Sequence, residues 1–382
     1  MKLLKRFLKT IILLFGLLII LTYIFDVDYL FKAVRTIYLK GHTTAFLEDY
    51  KAFDNTVVKA GEEIPWAIHQ DFNTVEPTKK LLKTHEDSET IAYLIIKNDS
   101  IWHESYYDGF DADSKTNSFS MVKSMISGLL GKAIMDGHIK SLDQPLSDFF
   151  PQYAEGLGAK TTVGDLASMS SGLDWDEAYY SPFSITTRAY FDNDLEKMML
   201  KLGIVEEPGT AFKYLSGSTQ LLAMVIEKAS GKKTADYFSE AFWKPLGAKN
   251  DALWQLDSKK HGLVKAYCCF ASNARDFARF GKLYKDYGKF NGKQILDSAF
   301  VVKSITPRFE GAPYGYGFWL NEFQDKKLFL MRGHLGQLVM IIPDDNMMVV
   351  RLGHQKGPND GSDNLSPIVW TLLEEAYEMM GL

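Results

Sequence analysis

The chain has 382 residues, 46% of them hydrophobic and 24% charged, with 13% aromatic residues and a formal net charge of −5. These are the proportions of an ordinary globular protein with ample core, in one large or two moderate domains. No basic run is long enough to track a nucleic-acid backbone, which argues against nucleic acid as a partner.

At the N-terminus Lys2, Lys5, Arg6 and Lys9 precede an apolar run from Ile11 to Phe25. With Phe7 and Leu8 the run approaches the ~20 residues that a spanning helix needs. Positive residues ahead of it place the N-terminus in the cytoplasm. No small-residue cleavage site follows, since Asp26, Val27, Asp28 and Tyr29 come next. Residues 1–26 are therefore expected to be an uncleaved transmembrane anchor, with a cleaved signal as the alternative. Either way the body is expected outside the cytoplasm, in a bacterial periplasm or at the cell surface. Residues 27–85 lack sustained periodicity and read as a connector, which leaves 86–382 as the main domain.

Further along, Thr90 to Tyr107 alternates around an Asn98-Asp99-Ser100 turn, the pattern of a β-hairpin. A helix is expected from Ser120 to about Asp136-Gly137, with Met125, Ile126, Leu129, Leu130 and Ala133 on its apolar side. A helical insertion is expected over about 138–260, including a short helix from Thr162 and a longer one from Gly217 to Ala229. Arg275 to Tyr287 reads as an amphipathic helix. Strands are expected at 316–320, 327–331, 337–342 and 347–352, and a last helix from about Asn364 to Met380. Strands near both ends with helices between them predict an α/β fold whose sheet is assembled from both ends of the chain.

Ser120-Met121-Val122-Lys123 carries the chemistry. On a helix, residues three apart share a face, so the hydroxyl and the amine can touch. A serine is a poor nucleophile until a base takes its proton, and a helix N-terminus suits a developing anion. Chance alone gives about one or two S-x-x-K matches in a chain this long. A second one, Ser230-Gly231-Lys232-Lys233, reads as helix punctuation with Gly231 as C-cap.

Two other segments can complete such a site. Tyr214 lies in a loop just before a helix, and a nearby lysine ammonium would lower its pKa and make it a proton shuttle. Arg332-Gly333-His334-Leu335-Gly336-Gln337 opens a strand, and its glycines suggest close approach of backbone to a ligand. The Gln337 N–H could be an oxyanion donor beside that of Ser120, with His334 touching substrate or holding the loop. The adjacent Cys268 and Cys269 rarely have the separation a disulfide needs and are expected as buried apolar thiols. Neither C-x-x-C nor H-E-x-x-H occurs, so no metal site is suggested, and the absence of G-x-S-x-G argues against an ordinary α/β-hydrolase.

Taken in order, Ser120-x-x-Lys123, Tyr214-Leu215-Ser216 and His334-Leu335-Gly336 resemble the penicillin-recognising serine hydrolases, in the branch with class C β-lactamases, D-alanyl-D-alanine carboxypeptidases, esterases and 6-aminohexanoate-dimer hydrolases. Segments at 137–143, 166–173, 245–247 and 274–281 support the resemblance over roughly 85–375. It implies a β-lactamase/transpeptidase-like fold, an antiparallel sheet flanked by helices plus a helical subdomain. It also implies Ser120 as nucleophile, Lys123 as its proton partner, Tyr214 as general base and acid, Ser216 where Asn often stands, and His334-Leu335-Gly336 in place of K-T-G. Tyr179, in the segment Asp174 to Pro182, matches a substrate-binding tyrosine of the 6-aminohexanoate-dimer hydrolases, and the cysteines fall near the cleft floor. A neutral imidazole grips a carboxylate less well than an ammonium, so the expected function is 6-aminohexanoate-dimer-hydrolase-like cleavage of a small amide, ester or peptide, without cofactor. The alternatives are a D-alanyl-D-alanine carboxypeptidase or β-lactamase, and a penicillin-binding sensor that acylates once without turnover. Oligomeric state stays open.

Overall fold

The computed structural model describes residues 2–357 and 365–382. A seven-stranded sheet forms the centre. Its strands are β1 (Ala67–Ile68), β2 (Thr90–Lys97), β3 (Ser100–Tyr106), β4 (Trp319–Phe323), β5 (Lys326–Gly333), β6 (Gln337–Ile342) and β7 (Met347–Gly353), in spatial order β4-β5-β6-β7-β2-β3-β1. The hairpin β2–β3 joins the C-terminal strands through β7, which pairs antiparallel with β2. The sheet is thus built from both ends of the chain, as expected. It is not wholly antiparallel: the two-residue edge strand β1 pairs parallel with β3.

Strand β2 reads Thr90-Ile91-Ala92-Tyr93-Leu94-Ile95-Ile96 and is buried along nearly its whole length because both faces of the sheet are covered. On one side lie α3 (Lys79–Asp87) and the closing helix α7 (Pro367–Met380), packed through Leu81, Tyr93, Leu372 and Leu373. The other side meets α4 (Val122–Met135) and α6 (Ala274–Lys285), where Phe277, Phe280, Val339 and Met348 belong to the larger core. Pro367 occupies the first turn of α7, where its missing N–H costs nothing. The earlier expected start of this helix, Asn364, lies outside the described residues.

Three elements differ from expectation. The strand expected at 316–320 runs Trp319–Phe323 instead. The Tyr316 and Gly317 carbonyls accept bonds from the Ser127 and Ser124 hydroxyls of α4 at 2.6 and 2.5 Å, so this backbone is bound to the helix rather than to a ladder. A Cβ on Gly317 would stand 2.4 Å from that of Ser127, which is why only glycine fits there. The stretch 27–85 is more than a connector: it carries α2 (Tyr29–Thr36), a strand Asn55–Val58, β1 and α3 between irregular segments, with Leu47, Val58 and Leu81 fully buried. Cys268 and Cys269 are joined to each other as a disulfide, contrary to the expectation of free thiols. Cys269 takes the left-handed backbone (φ 74°), a turn that ordinary extended neighbours lack. Both cysteines are buried, as expected.

The segment 138–260 carries several helices separated by longer stretches of turn and coil, with α5 (Ser216–Ser230) as its longest element and Gly231 in the left-handed C-cap position (φ 67°). The same segment supplies Ala252–Gln255 to a second, four-stranded sheet, ordered Asn55–Val58, Ala252–Gln255, Phe270–Ser272, Thr116–Asn117. The last of these strands delivers the chain to Ser120. Ahead of them all, α1 (Lys2–Ile24) is the one helix among the described residues long and apolar enough to cross a membrane, and none of it is buried.

Candidate active site

Ser120 sits in a 3-10 turn, Phe119–Met121, just ahead of α4. The turn is sharp: Phe119 has φ 45°, a sparsely populated region for a bulky residue. Its surroundings hold it there. Asn117 Oδ1 accepts from the Phe119 N–H at 2.9 Å, and the Ser118 N–H donates to the Phe270 carbonyl at 2.7 Å. Strand β5 passes so close that a Cβ on Gly333 would lie 2.3 Å from the Ser118 carbonyl oxygen. Glycine there lets the strand end, and the His334 turn after it, reach the serine.

Lys123, the second residue of α4 and one turn beyond Ser120, is 2% exposed. Its Nζ donates to Ser120 Oγ at 2.8 Å and to the Tyr267 carbonyl at 2.8 Å. It lies over the rings of Tyr214 and Tyr267, at 5.1 and 5.9 Å. Burial pulls its pKa down to about 8, with the more distant Glu177 carboxylate opposing that fall. The expected lowering of the Tyr214 pKa is absent. Burial pushes this phenol well up, and Glu177 adds to the rise, while a hydrogen bond with Ser120 works against it. Burial thus acts on the two groups in opposite directions, toward the free amine at Lys123 and the protonated phenol at Tyr214; only the Tyr214 direction reverses the expectation.

The β5–β6 connection is the turn His334–Gly336. Gly336 has φ 78°, and a Cβ there would meet Arg351 Nη1 at 2.5 Å. Arg351 is fully buried in β7 and donates to the Leu335 and Gly336 carbonyls at 3.0 and 2.8 Å, so it pins the turn from beneath. The His334 ring meets Phe119 edge-on at 5.5 Å, stacks with Tyr179 at 5.8 Å and has Thr44 Oγ1 3.3 Å from Nε2. Burial, helped by Lys356, lowers its pKa to about 4, so the imidazole is neutral at physiological pH.

Two cavities meet at Ser120. A mostly apolar one of about 310 Å³ is lined by Ser120, Tyr179, Ser216, Cys268 and His334 at its inner end. A second, more polar one of about 270 Å³ is lined by Ser120, Tyr179, Tyr214, Arg332, His334, Gly336 and Lys356, with Trp319, Leu338 and Ile368 as apolar neighbours. Of the residues singled out in the sequence, Ser120, Lys123, Tyr214, Ser216, Tyr179, His334 and Gly336 come together here. Gln337 lines neither cavity; it is fully buried at the start of β6, and its side-chain amide bonds the His334 and Gly353 carbonyls at 3.1 and 2.7 Å.

A family model described as Beta-lactamase matches residues 78–370, most of the chain. The chain belongs to the β-lactamase family. It is a serine hydrolase of that fold. Among curated relatives, the 6-aminohexanoate-dimer hydrolase of Paenarthrobacter ureafaciens is 26% identical over 297 residues, covering 72% of this chain and 75% of the relative. The teichoic acid D-alanine hydrolase of Staphylococcus aureus is 24% identical over 324 residues, covering 78% of each. A solved structure from Bacillus anthracis, of a protein assigned as a 6-aminohexanoate-dimer hydrolase, superposes with a TM-score of 0.71 at 19% identity, covering 93% of this chain and 96% of that one.

Sequence reasoning missed Glu177. Its carboxylate accepts from Trp175 Nε1 at 2.9 Å, from the Ser216 N–H at 2.7 Å, and from the hydroxyls of Tyr179 and Ser216. It therefore ties the Tyr179 loop to the N-terminus of α5, where a negative charge is favoured. The one available signal was its place two residues before Tyr179. Asp49 was missed as well, inside a stretch read as a connector. It is fully buried and accepts from Tyr190 Oη at 2.6 Å and Asn117 Nδ2 at 3.1 Å, so the Phe119 turn rests on it through Asn117.

Proposed function

We propose that this protein hydrolyses an amide or ester through an acyl-enzyme on Ser120. Lys123, as the free amine, takes the Ser120 proton while Oγ attacks the substrate carbonyl carbon. The oxyanion lies toward the backbone N–H groups of Ser120 and Gln337. Tyr214, kept protonated by its burial, donates to the departing amine or alkoxide and recovers a proton from Lys123. Water then repeats the sequence on the acyl-serine and releases the acid. Ser216 and Tyr179 position the substrate with Glu177 behind them, and His334 and Gly336 line the way in. The observation that carries this reading is the 2.8 Å contact between Ser120 Oγ and an amine that burial brings to a pKa of about 8.

The preferred subgroup is the 6-aminohexanoate-dimer-hydrolase-like one, with α1 as a membrane anchor and the body extracytoplasmic. A neutral His334 gives poor grip on a β-lactam carboxylate, so slow cephalosporin turnover is expected. A second reading, hydrolysis of D-alanyl peptides that end in a free carboxylate, draws on Arg332 and Lys356 in the second cavity, two cations suited to an anionic group. Side-by-side assays of a nitrophenyl ester, short amides, D-alanyl substrates and a chromogenic cephalosporin test both. Sustained ester turnover, lost in Ser120→Ala, supports the hydrolase. One equivalent of product followed by silence would make the protein an acylated sensor.

A further inference from the structure

The apolar cavity is larger than a short acyl group needs, and its far wall comes from an unexpected place. Leu30, Ala33, Val34 and Ile37 line it from α2 and its C-cap. Their spacing puts them on one helix face. Pro182 and Phe191 face them from the segment that follows Tyr179. That segment and α2 are fastened together: Tyr29 Oη donates to the Pro182 carbonyl at 3.0 Å, and Asp26 pairs with Arg188. The cavity therefore extends from Ser120 to α2, and α2 begins at Tyr29, directly after the apolar α1 ends at Ile24. At the rim the apolar residues do not retreat from solvent. Val34 is 45% exposed, Tyr180 69% and Phe183 73%. Exposed aromatic and aliphatic side chains around an apolar opening mark a surface that meets apolar matter.

Building on the acyl-enzyme reading above, we propose that this cavity holds the hydrocarbon chain of a fatty-acyl ester or amide, entering from the bilayer to which α1 anchors the protein. The acyl carbonyl reaches Ser120, the chain runs along α2 toward the rim, and the polar remainder of the substrate occupies the second cavity, near Arg332 and Lys356. The reaction is unchanged: the carbonyl–heteroatom bond breaks, the serine ester forms, and water releases the fatty acid.

The full-length protein, held in lipid nanodiscs, is assayed with nitrophenyl acetate, butyrate, hexanoate and octanoate below their solubility limits, with rates referred to the ester left in water after its measured partition into the lipid. Burial of each added methylene is worth about fourfold, so kcat/KM is expected to climb at least roughly 100-fold from acetate to octanoate. Ala33→Trp fills the cavity from α2 and is expected to cut the octanoate-to-acetate ratio at least about tenfold. Val34→Trp, on the half-exposed part of the same wall, is the companion variant if Ala33→Trp does not fold, and the same collapse of the ratio is expected. Steady turnover of acetate with a flat chain-length profile would overturn the acyl pocket while leaving the hydrolase intact. A rising profile that neither variant alters would also overturn it, because the chain would then lie elsewhere. No turnover of any ester, with no acyl adduct on Ser120 by mass spectrometry, would remove the acyl-enzyme reading itself.

Discussion

Two lysines in this molecule are buried alike and used differently. Lys123 and Lys265 are 2% and 0% exposed, each donates to a backbone carbonyl, and each lies over two aromatic rings. Burial lowers the pKa of both. Lys265 is in closed core beside Phe53 and Tyr190, with the buried Asp49 as one nearby counter-charge. Lys123 instead ends on the hydroxyl of Ser120, where two cavities open. Desolvation makes an amine that can act as a base; only access to a reacting group makes it useful. A lowered lysine pKa therefore locates an active site only together with a cavity.

Substitution should separate the two regions most clearly in turnover. Ser120→Ala and Lys123→Met are each expected to lower kcat for a nitrophenyl ester by at least about 10³-fold, because nucleophile and base act as a unit. Lys265→Met is expected to act on folding first, visible as a lower melting temperature. If Lys123→Met retains wild-type kcat, the two lysines are equivalent after all and the base lies elsewhere.

Stability should show the reverse order. Asp49→Leu strands the Tyr190 hydroxyl and the Asn117 and Gln255 amides, which now donate to its carboxylate at 2.6, 3.1 and 3.3 Å. It also removes one of the carboxylates that offset the Lys265 charge, leaving Asp257 and Asp192, so a loss of about 3–5 kcal/mol is expected in denaturant melts. Lys123→Met removes a desolvated amine in exchange for a hydrophobe of similar shape. Its stability is expected to match or exceed wild type, within about 1 kcal/mol, as happens where a site is kept at a cost to stability. Equal destabilisation by both variants would erase the distinction.

How much of this was legible beforehand follows from the same contrast. The Ser120–Lys123 pair was readable because both residues lie on one short, regular piece of backbone whose geometry the sequence spacing dictates. The order of Tyr214 and His334 relative to it was readable as a resemblance, and the sheet from both chain ends followed from where the apolar runs fall. Gln337 was placed correctly at a strand start, yet its side chain proved to be a brace between His334 and Gly353. Glu177, Asp49 and Arg351 escaped notice because each acts through long-range contacts, and no local pattern distinguishes a buried carboxylate or guanidinium from a solvated one. The direction of the Tyr214 pKa was misread for the same reason. A neighbouring ammonium was inferred from sequence, but the desolvation that outweighs it exists only in the packed structure. The 27–85 stretch lacked periodicity because its elements are short and lie across the body, as Asn55–Val58 and β1 do at sheet edges.

The subtlest expected effect concerns pH. If the free amine of Lys123 takes the serine proton, kcat/KM should rise with pH through about 8, the value to which burial brings this group, and level off above it. Below that inflection the protonated amine can only donate. Glu177 opposes the burial effect, stabilising the ammonium. Glu177→Gln removes the charge, so the inflection should move to lower pH and a larger fraction of the enzyme should be active in mildly acidic solution. The amide also accepts fewer bonds than the carboxylate, so Tyr179 and Ser216 lose part of their support and the plateau rate should fall. The two consequences are separable in one titration: the inflection reports the field at Lys123, and the plateau reports the placement of substrate. A lower plateau with an unmoved inflection would make Glu177 a brace alone, and the tuning of Lys123 would then rest on burial, the property it shares with Lys265.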